Sequence, residues 1–481
     1  MKNRFNNLTS KEWLPFQKSW FKYTDDYTLY RDNIRFFVKF DLKELPPTVF
    51  YYCSNPNNHQ TIHAVAQKTK AVLYSESDLD KIDQLQFALF DLRDAFIDDI
   101  STASYMEFKN RMLALIYKIK PLLAHRRFIG IFMNQSFQQG AYYPFCWDLA
   151  KTIASTFSLK DEKIGCVDEE SFTGQELPQF QTMNNMFYAL YFRKDENSGS
   201  AESFSMFDYF TNNKSQPTNG KITSQFPSWF ILKPPPRKKN EILHPAKYPE
   251  DLVDKYVGIF TNEGDNVFDP MSGTGSTQLQ AIRMGRNGYG IELNEFFCNI
   301  ANERCREQLT SVLQPKYTNQ PEFRILNKDA RMVTQGDFPE IDYIITSPPY
   351  WDMLNMKGAE YQARRKEKGL QLNYSEDDTD LGNIDDYQRF LDDLVPIYFS
   401  LIELLKPGKF MTIVVKNIKK KGKNYPLAWD LAERLQERVI LLPESFWLQD
   451  DISIAPYGYF NTYVSNTFHH YCLSFQKPLS T

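Results

Sequence analysis

The sequence predicts an α/β protein with a doubly wound parallel sheet, and three stretches predict it. In "NVFDPMSGTGSTQLQAIRMGRNGYGIELN" (266–294) an apolar strand, a glycine loop, a helix and a second strand follow in succession. In "IDYIITSPPYW" (341–351) another apolar, β-branched strand stops at two prolines. Finally, a segment near residues 105–150 returns near 387–432, with helix, strand and helix in the same order.

At 481 residues the chain exceeds what one core usually serves, so more than one domain is expected. Its net charge of −4 supplies no global field toward nucleic acid, and such binding has to rest on local patches. The six cysteines form no C-x-x-C pair, which argues against a disulfide framework or zinc site and for a reducing compartment. The first residues, "MKNRFNNLTSKEW", hold no apolar run, and no stretch reaches membrane-spanning length. A cytoplasmic protein with no membrane partner is the expectation.

Taken from the N-terminus, residues 105–150 align with 387–432 without a gap, with thirteen identities in forty-six positions. Shared are Tyr143/Tyr425, Pro144/Pro426, Trp147/Trp429 and the Asp-Leu-Ala that follows. "MFYALYFRK" (186–194) and "HHYCLSFQK" (469–477) read as matching final strands. Residues 1–195 therefore read as a degenerate duplicate of a half that recurs near the C-terminus. "VFYYCSNPNN" (49–58) is the closest counterpart to "DYIITSPPYW". Residues 196–224, rich in Ser, Asn and Gly, read as a linker or long loop, and 225–481 as the functional domain.

Within 266–294, Asp269-Pro270 ends the first strand, and Gly273 and Gly275 allow a tight backbone before a helix starting near Ser276. Glu292 ends the second strand nineteen residues after Gly273, where a carboxylate can accept hydrogen bonds from ribose hydroxyls. A nicotinamide dinucleotide satisfies the same features. A third strand, "FRILN" (323–327), leads to Asp329, placed to meet an adenine amino group or to cap a helix. The fourth strand ends at Ser347. Pro348 and Pro349 have no N–H for a ladder, so the carbonyls of Ser347 and Pro348 are free to face a ligand. Tyr350 and Trp351 add flat faces beside them. The set suits a planar molecule carrying an amino group.

These motifs resemble the amino-methyltransferases of DNA, which move a methyl group from S-adenosylmethionine to the exocyclic nitrogen of cytosine or adenine. "DPMSGTGST" is similar to the family's cofactor loop, with Met271 where phenylalanine is usual, and "TSPPY" to its catalytic motif. "HPAKYPEDLVDKYVGIFTNEGD" (244–265) resembles its first cofactor segment, and "LLKPGKF" (404–410) a common strand lead-in. The resemblance covers about residues 225–480. It implies a Rossmann-like methyltransferase sheet there, with the N-terminal α/β region a degenerate duplicate of the catalytic half. It implies cofactor contacts from His244, Pro245, Asp269, Pro270, Met271, Ser272, Gly273, Gly275, Thr277, Glu292 and Asp329. Ser347, Pro348, Pro349 and Tyr350 become the catalytic set, without a metal. Here the cofactor motifs precede the Pro-Pro motif, the reverse of a large class in the family. A catalytic half, a cofactor half and a second catalytic half make an intermediate of circular permutation.

Ser before Pro-Pro goes in this family with cytosine more often than adenine, so N4-cytosine is favoured over N6-adenine. Double-stranded DNA is the implied substrate, and a cognate restriction endonuclease a candidate partner. The basic clusters "PPPRKK" (234–239), "ARRKEK" (363–368) and "KNIKKKGKN" (416–424) are candidate phosphate contacts or solvated faces. An RNA amino-methyltransferase and a non-catalytic DNA-binding protein on the same scaffold remain the rival readings. A nicotinamide oxidoreductase leaves TSPPYW unexplained.

Overall fold

The computed structural model describes residues 3–95, 102–138, 141–168, 182–183, 185–195, 226–233, 249–311, 320–349, 351, 381–420, 423–450 and 465–479. Two sheets organise them. The N-terminal sheet holds β1 (Trp20–Lys22), β2 (Thr48–Cys53), β3 (Val72–Tyr74), β4 (Leu85–Asp91), β5 (Leu123–Met133), β6 (Ser158–Cys166) and β7 (Met186–Arg193), in the order β1-β6-β7-β5-β4-β2-β3. The C-terminal sheet holds β8 (Trp229–Ile231), β9 (Asn266–Asp269), β10 (Asn287–Glu292), β11 (Phe323–Asn327), β12 (Ile341–Thr346), β13 (Leu405–Val415), β14 (Ser445–Leu448) and β15 (His469–Gln476). Its order is β8-β14-β15-β13-β12-β9-β10-β11, with the short Ile440–Leu441 added against β15.

The two orders coincide strand for strand, and β11 alone lacks a partner in the N-terminal list. In each sheet the last long strand is antiparallel to both neighbours, β7 to β5 and β6, β15 to β13 and β14. The central strands are parallel and buried along their whole length, as in β4 and β12, because helices cover both faces. The helices used below are α1 (Asp26–Phe37), α2 (Asn58–Thr69), α3 (Thr102–Leu122), α4 (Phe145–Ala154), α5 (Glu250–Phe260), α6 (Ser276–Arg283), α7 (Glu295–Ser311), α8 (Tyr387–Leu404) and α9 (Leu427–Leu435).

Register decides which residues correspond. Val49 pairs with Phe87 and Phe87 with Phe128, while Val267 pairs with Tyr343 and Tyr343 with Phe410. Phe128 and Phe410 are matched in the gapless repeat, so β4 stands where β12 stands and β2 where β9 stands. This corrects the expected match of 49–58 with TSPPYW: that segment occupies the position of the cofactor strand, and the counterpart of Ser347 is Asp91. The correspondence also takes in β2 and β3, beyond the catalytic half that sequence likeness had suggested. Those strands share a place in the sheet with β9 and β10, and that register sets Val49-Phe50 on Val267-Phe268 and Tyr74 on Tyr289.

The lobes pack through α4 and α9, and one hydrophobic cluster runs through both, from Phe50 to Phe475. Trp147 and Trp429 stack on each other there, with centroids 6.1 Å apart and planes inclined by 13°. Contact between equivalent residues marks a pseudo-two-fold axis, as at an isologous dimer interface. On either side of it the same network is built twice. Trp429 donates to the Tyr471 hydroxyl (2.8 Å), and that hydroxyl donates to Glu162 of the N-terminal lobe. Trp147 donates to the Tyr188 hydroxyl (3.1 Å), which donates to Glu444 of the C-terminal lobe. Asn417 and Gln135 supply a second donor to the respective carboxyls, at 2.8 and 3.4 Å. Burial pushes Glu162 up to about 8, against the opposing effect of the Asn417 hydrogen bond, and burial likewise pushes Glu444 up to about 8.

Among the described residues no helix is long and apolar enough to cross a membrane, and no group of His, Cys, Asp and Glu is arranged to hold a metal. The six cysteines are buried and unpaired.

Candidate active site at the carboxyl edge of the C-terminal sheet

β9 and β12 are parallel neighbours, with Phe268 opposite Ile344. The chain therefore leaves both strands at the same edge of the sheet, and the glycine loop and Ser347 share one crevice. Asp269 is 1% exposed and shapes the loop: its Oδ1 accepts the Met271 N–H (3.0 Å) and its Oδ2 the Thr277 hydroxyl (2.8 Å). Ser272 donates back to the Asp269 carbonyl at 2.9 Å. Gly273 and Gly275 have φ of 55° and 78°, the left-handed region that favours glycine. A Cβ at Gly275 would stand 2.8 Å from the Ala301 Cβ of α7, so both conformation and space require glycine. Glu292, half-buried at the tip of β10, accepts the Gly273 N–H through Oε2 (2.7 Å) and the Asn294 N–H through Oε1 (2.9 Å). Two backbone donors fix the carboxylate at the mouth of the loop.

Asp329 takes the structural alternative. It caps the turn Ala330–Met332, accepting the Arg331 N–H at 2.9 Å, and its carboxylate lies against the Arg331 guanidinium. Ser347 and Pro349 are half-buried and Pro348 is buried. Tyr350, His244 and Pro245 lie outside the described residues, as do the clusters 234–239 and 363–368. Two lysines of the 416–424 cluster are engaged within the protein. Lys419 is 2.6 Å from the fully buried Asp161 of the N-terminal lobe, and Lys416 donates to Gln449 and the Thr467 carbonyl. A lysine answering a buried carboxylate is committed to that ion pair.

Sequence reasoning missed part of the wall. Trp351 is 2% exposed and meets Tyr387 (centroids 5.2 Å) and Tyr425 (4.7 Å), with the Lys420 ammonium 4.1 Å from its ring centroid. Tyr387 and Tyr425 were legible only as identities of the repeat. Thr346, immediately before Ser347, is wholly buried and its hydroxyl has no partner among the described residues. The same holds for the hydroxyls of Ser276, at the start of α6, and Tyr398 on α8. Burial pushes Tyr398 well above its ordinary value, and the nearby Asp269 carboxylate adds to the effect.

Residues 93–303 match the DNA methylase family. The match begins beside Asp91, runs through the cofactor loop and Glu292, and ends before Ser347. The DNA methylase relatives include the orphan methyltransferase M.BamHII of Bacillus amyloliquefaciens, 41% identical over 66 residues, 14% of this chain and 25% of that protein. The type II methyltransferase M.HpaI of Haemophilus parainfluenzae is 36% identical over 66 residues, 14% of this chain and 21% of that protein. The chain thus matches about a quarter or less of the length of these relatives. A crystal structure of a SAM-dependent methyltransferase from Methanosarcina mazei aligns at 13% identity and TM-score 0.29, over 50% of this chain and 100% of that one.

The match to the DNA methylase family implies S-adenosylmethionine as cofactor, and the residues present fit it. The turn at Gly273 and Gly275 clears the backbone of side chains, Glu292 is held at the rim, and the Ser276 hydroxyl is buried and unpartnered. Among its described residues the N-terminal lobe offers no such cradle. There Tyr51 stands at the position of Asp269, and Asn57, at φ −64°, stands at that of Gly275. Its counterpart of Ser347, Asp91, is gripped by Arg93 through Nε (2.9 Å) and Nη2 (2.6 Å) and by the Tyr30 hydroxyl (2.5 Å).

Proposed function

We propose that this chain methylates the exocyclic amine of a base in double-stranded DNA, with N4 of cytosine as the favoured target. One observation carries the reading: the parallel pairing of β9 with β12 brings the cofactor loop and the Ser347-Pro348-Pro349 turn to one edge. Bound S-adenosylmethionine supplies an electrophilic methyl group; the chain's own residues do the rest. The amine of a base is a poor nucleophile because its lone pair is delocalised into the ring. A Ser347 oxygen and the Pro348 carbonyl accept its two hydrogens, which draws the nitrogen toward tetrahedral geometry and directs its lone pair at the methyl group. Pro349, with no N–H, leaves the turn's carbonyls to this task. Positioning of this kind supplies much of the acceleration in a direct displacement. The base reaches the crevice by leaving the duplex. Tyr350 is assigned the stacking face, and the Trp351–Tyr387–Tyr425 cluster supports the wall beyond it.

Ser347, a neutral acceptor, supports cytosine; N6 of adenine is the second reading, since the same acceptors serve either amine. The test is incubation of the full chain with labelled S-adenosylmethionine and unmethylated genomic DNA, followed by mass spectrometry of the nucleosides. N4-methylcytosine is the expected product. N6-methyladenine corrects the base and keeps the mechanism, and a bound cofactor with no methyl group on DNA overturns the reading.

A further inference from the structure

Each lobe places a largely buried aspartate in the first turn of the helix that follows its long strand, and each aspartate is met by a lysine. In the N-terminal lobe Asp148 of α4 accepts the Tyr105 hydroxyl and pairs with Lys109 of α3 at 2.6 Å. In the C-terminal lobe Asp430 of α9 accepts the Tyr387 hydroxyl at 2.6 Å. At the position of Lys109, however, α8 carries Leu391. The missing cation arrives from the other lobe. Lys151 of α4, 4% exposed, pairs with Asp430 at 2.6 Å and also with Glu433. Burial alone would lower the pKa of this lysine, but Asp430 and Glu433 outweigh it and raise it, so the ammonium stays charged. Lys151 and Glu433 are themselves matched positions of the repeat, which puts the pair beside the stacked Trp147 and Trp429 on the pseudo-two-fold axis.

What Asp430 holds gives this pair its consequence. Its partner Tyr387 lies against Trp351 and Tyr425, and Trp351 follows Ser347 by four residues. The hairpin that carries Tyr425 and Lys420 is anchored from the same side, by Asn417 on Glu162 (2.8 Å) and Lys419 on Asp161 (2.6 Å). Three struts behind the aromatic wall therefore end on charged residues of the N-terminal lobe, beside contacts within the C-terminal lobe such as that of Lys419 with Ser465.

We propose that Lys151 is a positioning residue for methyl transfer: the N-terminal lobe supplies the counter-ion that holds Asp430, Tyr387 and the base-side wall beside Ser347. The proposal rests on the reading of the C-terminal lobe as a DNA methylase. It gives the N-terminal lobe a defined task in the reaction, apart from any contact with DNA.

The control lies within the molecule. Lys109 is as deeply buried as Lys151, pairs with the equivalent aspartate, and serves the lobe without the Ser347 turn. The experiment compares Lys151→Met, Lys109→Met and the exchange Lys151→Glu with Glu433→Lys in the full chain. It measures kcat and KM for DNA, cofactor affinity by calorimetry, and thermal unfolding. Lys151→Met is expected to lose roughly tenfold or more in kcat/KM for DNA, with cofactor affinity within about twofold of wild type. Lys109→Met is expected to stay within about twofold of wild type in kcat/KM at a similar loss of stability. The exchange restores a cation beside Asp430 and is expected to recover activity to within about threefold. Wild-type kcat/KM in Lys151→Met, or an equal loss in Lys109→Met, overturns the proposal. If Lys151→Met does not fold, the exchange decides: recovery supports the proposal, and a folded but inactive exchange overturns it. A wild-type chain that binds cofactor and methylates no DNA overturns the proposed function instead, a result separable from these because it precedes any variant.

Discussion

The two lobes share a strand order, a packing face and a set of hydrogen bonds, and differ at both places where chemistry would occur. At the cofactor position, Ser272-Gly273-Thr274-Gly275 is met in the other lobe by Ser54-Asn55-Pro56-Asn57, and Asp269 by Tyr51. At the base position, Ser347-Pro348-Pro349 is met by Asp91-Leu92-Arg93, and the arginine closes on the aspartate and on Asp26. Arg93 also sits over the Phe187 ring, 5.0 Å from its centroid. The identities that persist between the lobes, Tyr105/Tyr387 and the Pro-x-x-Trp-Asp-Leu-Ala helix start, are those that build the interface and the wall. The scaffold and the chemistry are thus separable: the first is held by residues that face the other lobe, the second by loops at a sheet edge that contribute little to the core.

The largest effect that would break the comparison is at its centre. Ser347→Ala is expected to reduce methyl transfer by about a hundredfold or more while cofactor affinity is nearly unchanged, measured by single-turnover kinetics and calorimetry. Its counterpart Asp91→Ala should leave kcat alone and instead cost about 3 kcal/mol of stability in urea unfolding, because Arg93 is left buried with its main partner removed. Exchange of these two outcomes would mean that the active and inactive lobes have been assigned the wrong way round.

At the cofactor loop, Gly275→Ala is expected to weaken cofactor binding about tenfold or more, since a methyl group meets Ala301 at 2.8 Å and φ is 78°. Asn57→Ala, at ordinary helical φ, is expected to have no effect on cofactor titrations.

The paired carboxyls at the interface give a pH dependence that both lobes share. Glu162 and Glu444 have folded-state values near 8, well above the unfolded carboxylate value of about 4.3. Between those limits the native state binds more protons than the unfolded chain. Stability is therefore full at the acid end, falls as pH rises through the window to about 8, and levels off above it. The double variant Glu162→Gln with Glu444→Gln is expected to flatten the fall between pH 5.5 and 8, read as urea midpoints; an unchanged slope would show that these groups ionise freely.

The smallest effect sharpens the correspondence itself. Arg126 has φ 59° at the position where the other lobe has Gly408 at 76°, and the N–H of each donates to the carbonyl of a matched lysine, Lys194 or Lys477, at 2.9 Å. Arg126→Gly is expected to stabilise by about 0.5 kcal/mol, the relief of a left-handed L-residue less the entropy of glycine. A loss of stability in the same unfolding assay would contradict that account.

The sequence by itself determined which motifs meet at one sheet edge. The glycine loop, Glu292 and the Ser347-Pro348-Pro349 turn are local features, each fixed by the conformational limits of a few consecutive residues, and their alternation with apolar strands was enough to place them on one sheet. The repeat over 105–150 and 387–432 was legible too, because the interface residues it preserves are large and distinctive. Only the tertiary structure decided the rest. That β2 and β3 stand in for β9 and β10 is visible through strand register, since the identities it aligns, Val49-Phe50 with Val267-Phe268 and Tyr74 with Tyr289, are too few to stand out in the sequence. Nothing in "KNIKKKGKN" says that Lys419 belongs to Asp161, and nothing in "WDLA" says that Asp430 draws its cation from Lys151. Asp329, open between adenine and a helix cap from its spacing, accepts the Arg331 N–H as a cap and also meets the Arg331 guanidinium. Local sequence limits what each segment can become, but the counter-ion of a buried charge is chosen by whichever distant element the fold brings within about 3 Å, and that choice exists only once both lobes have closed on each other.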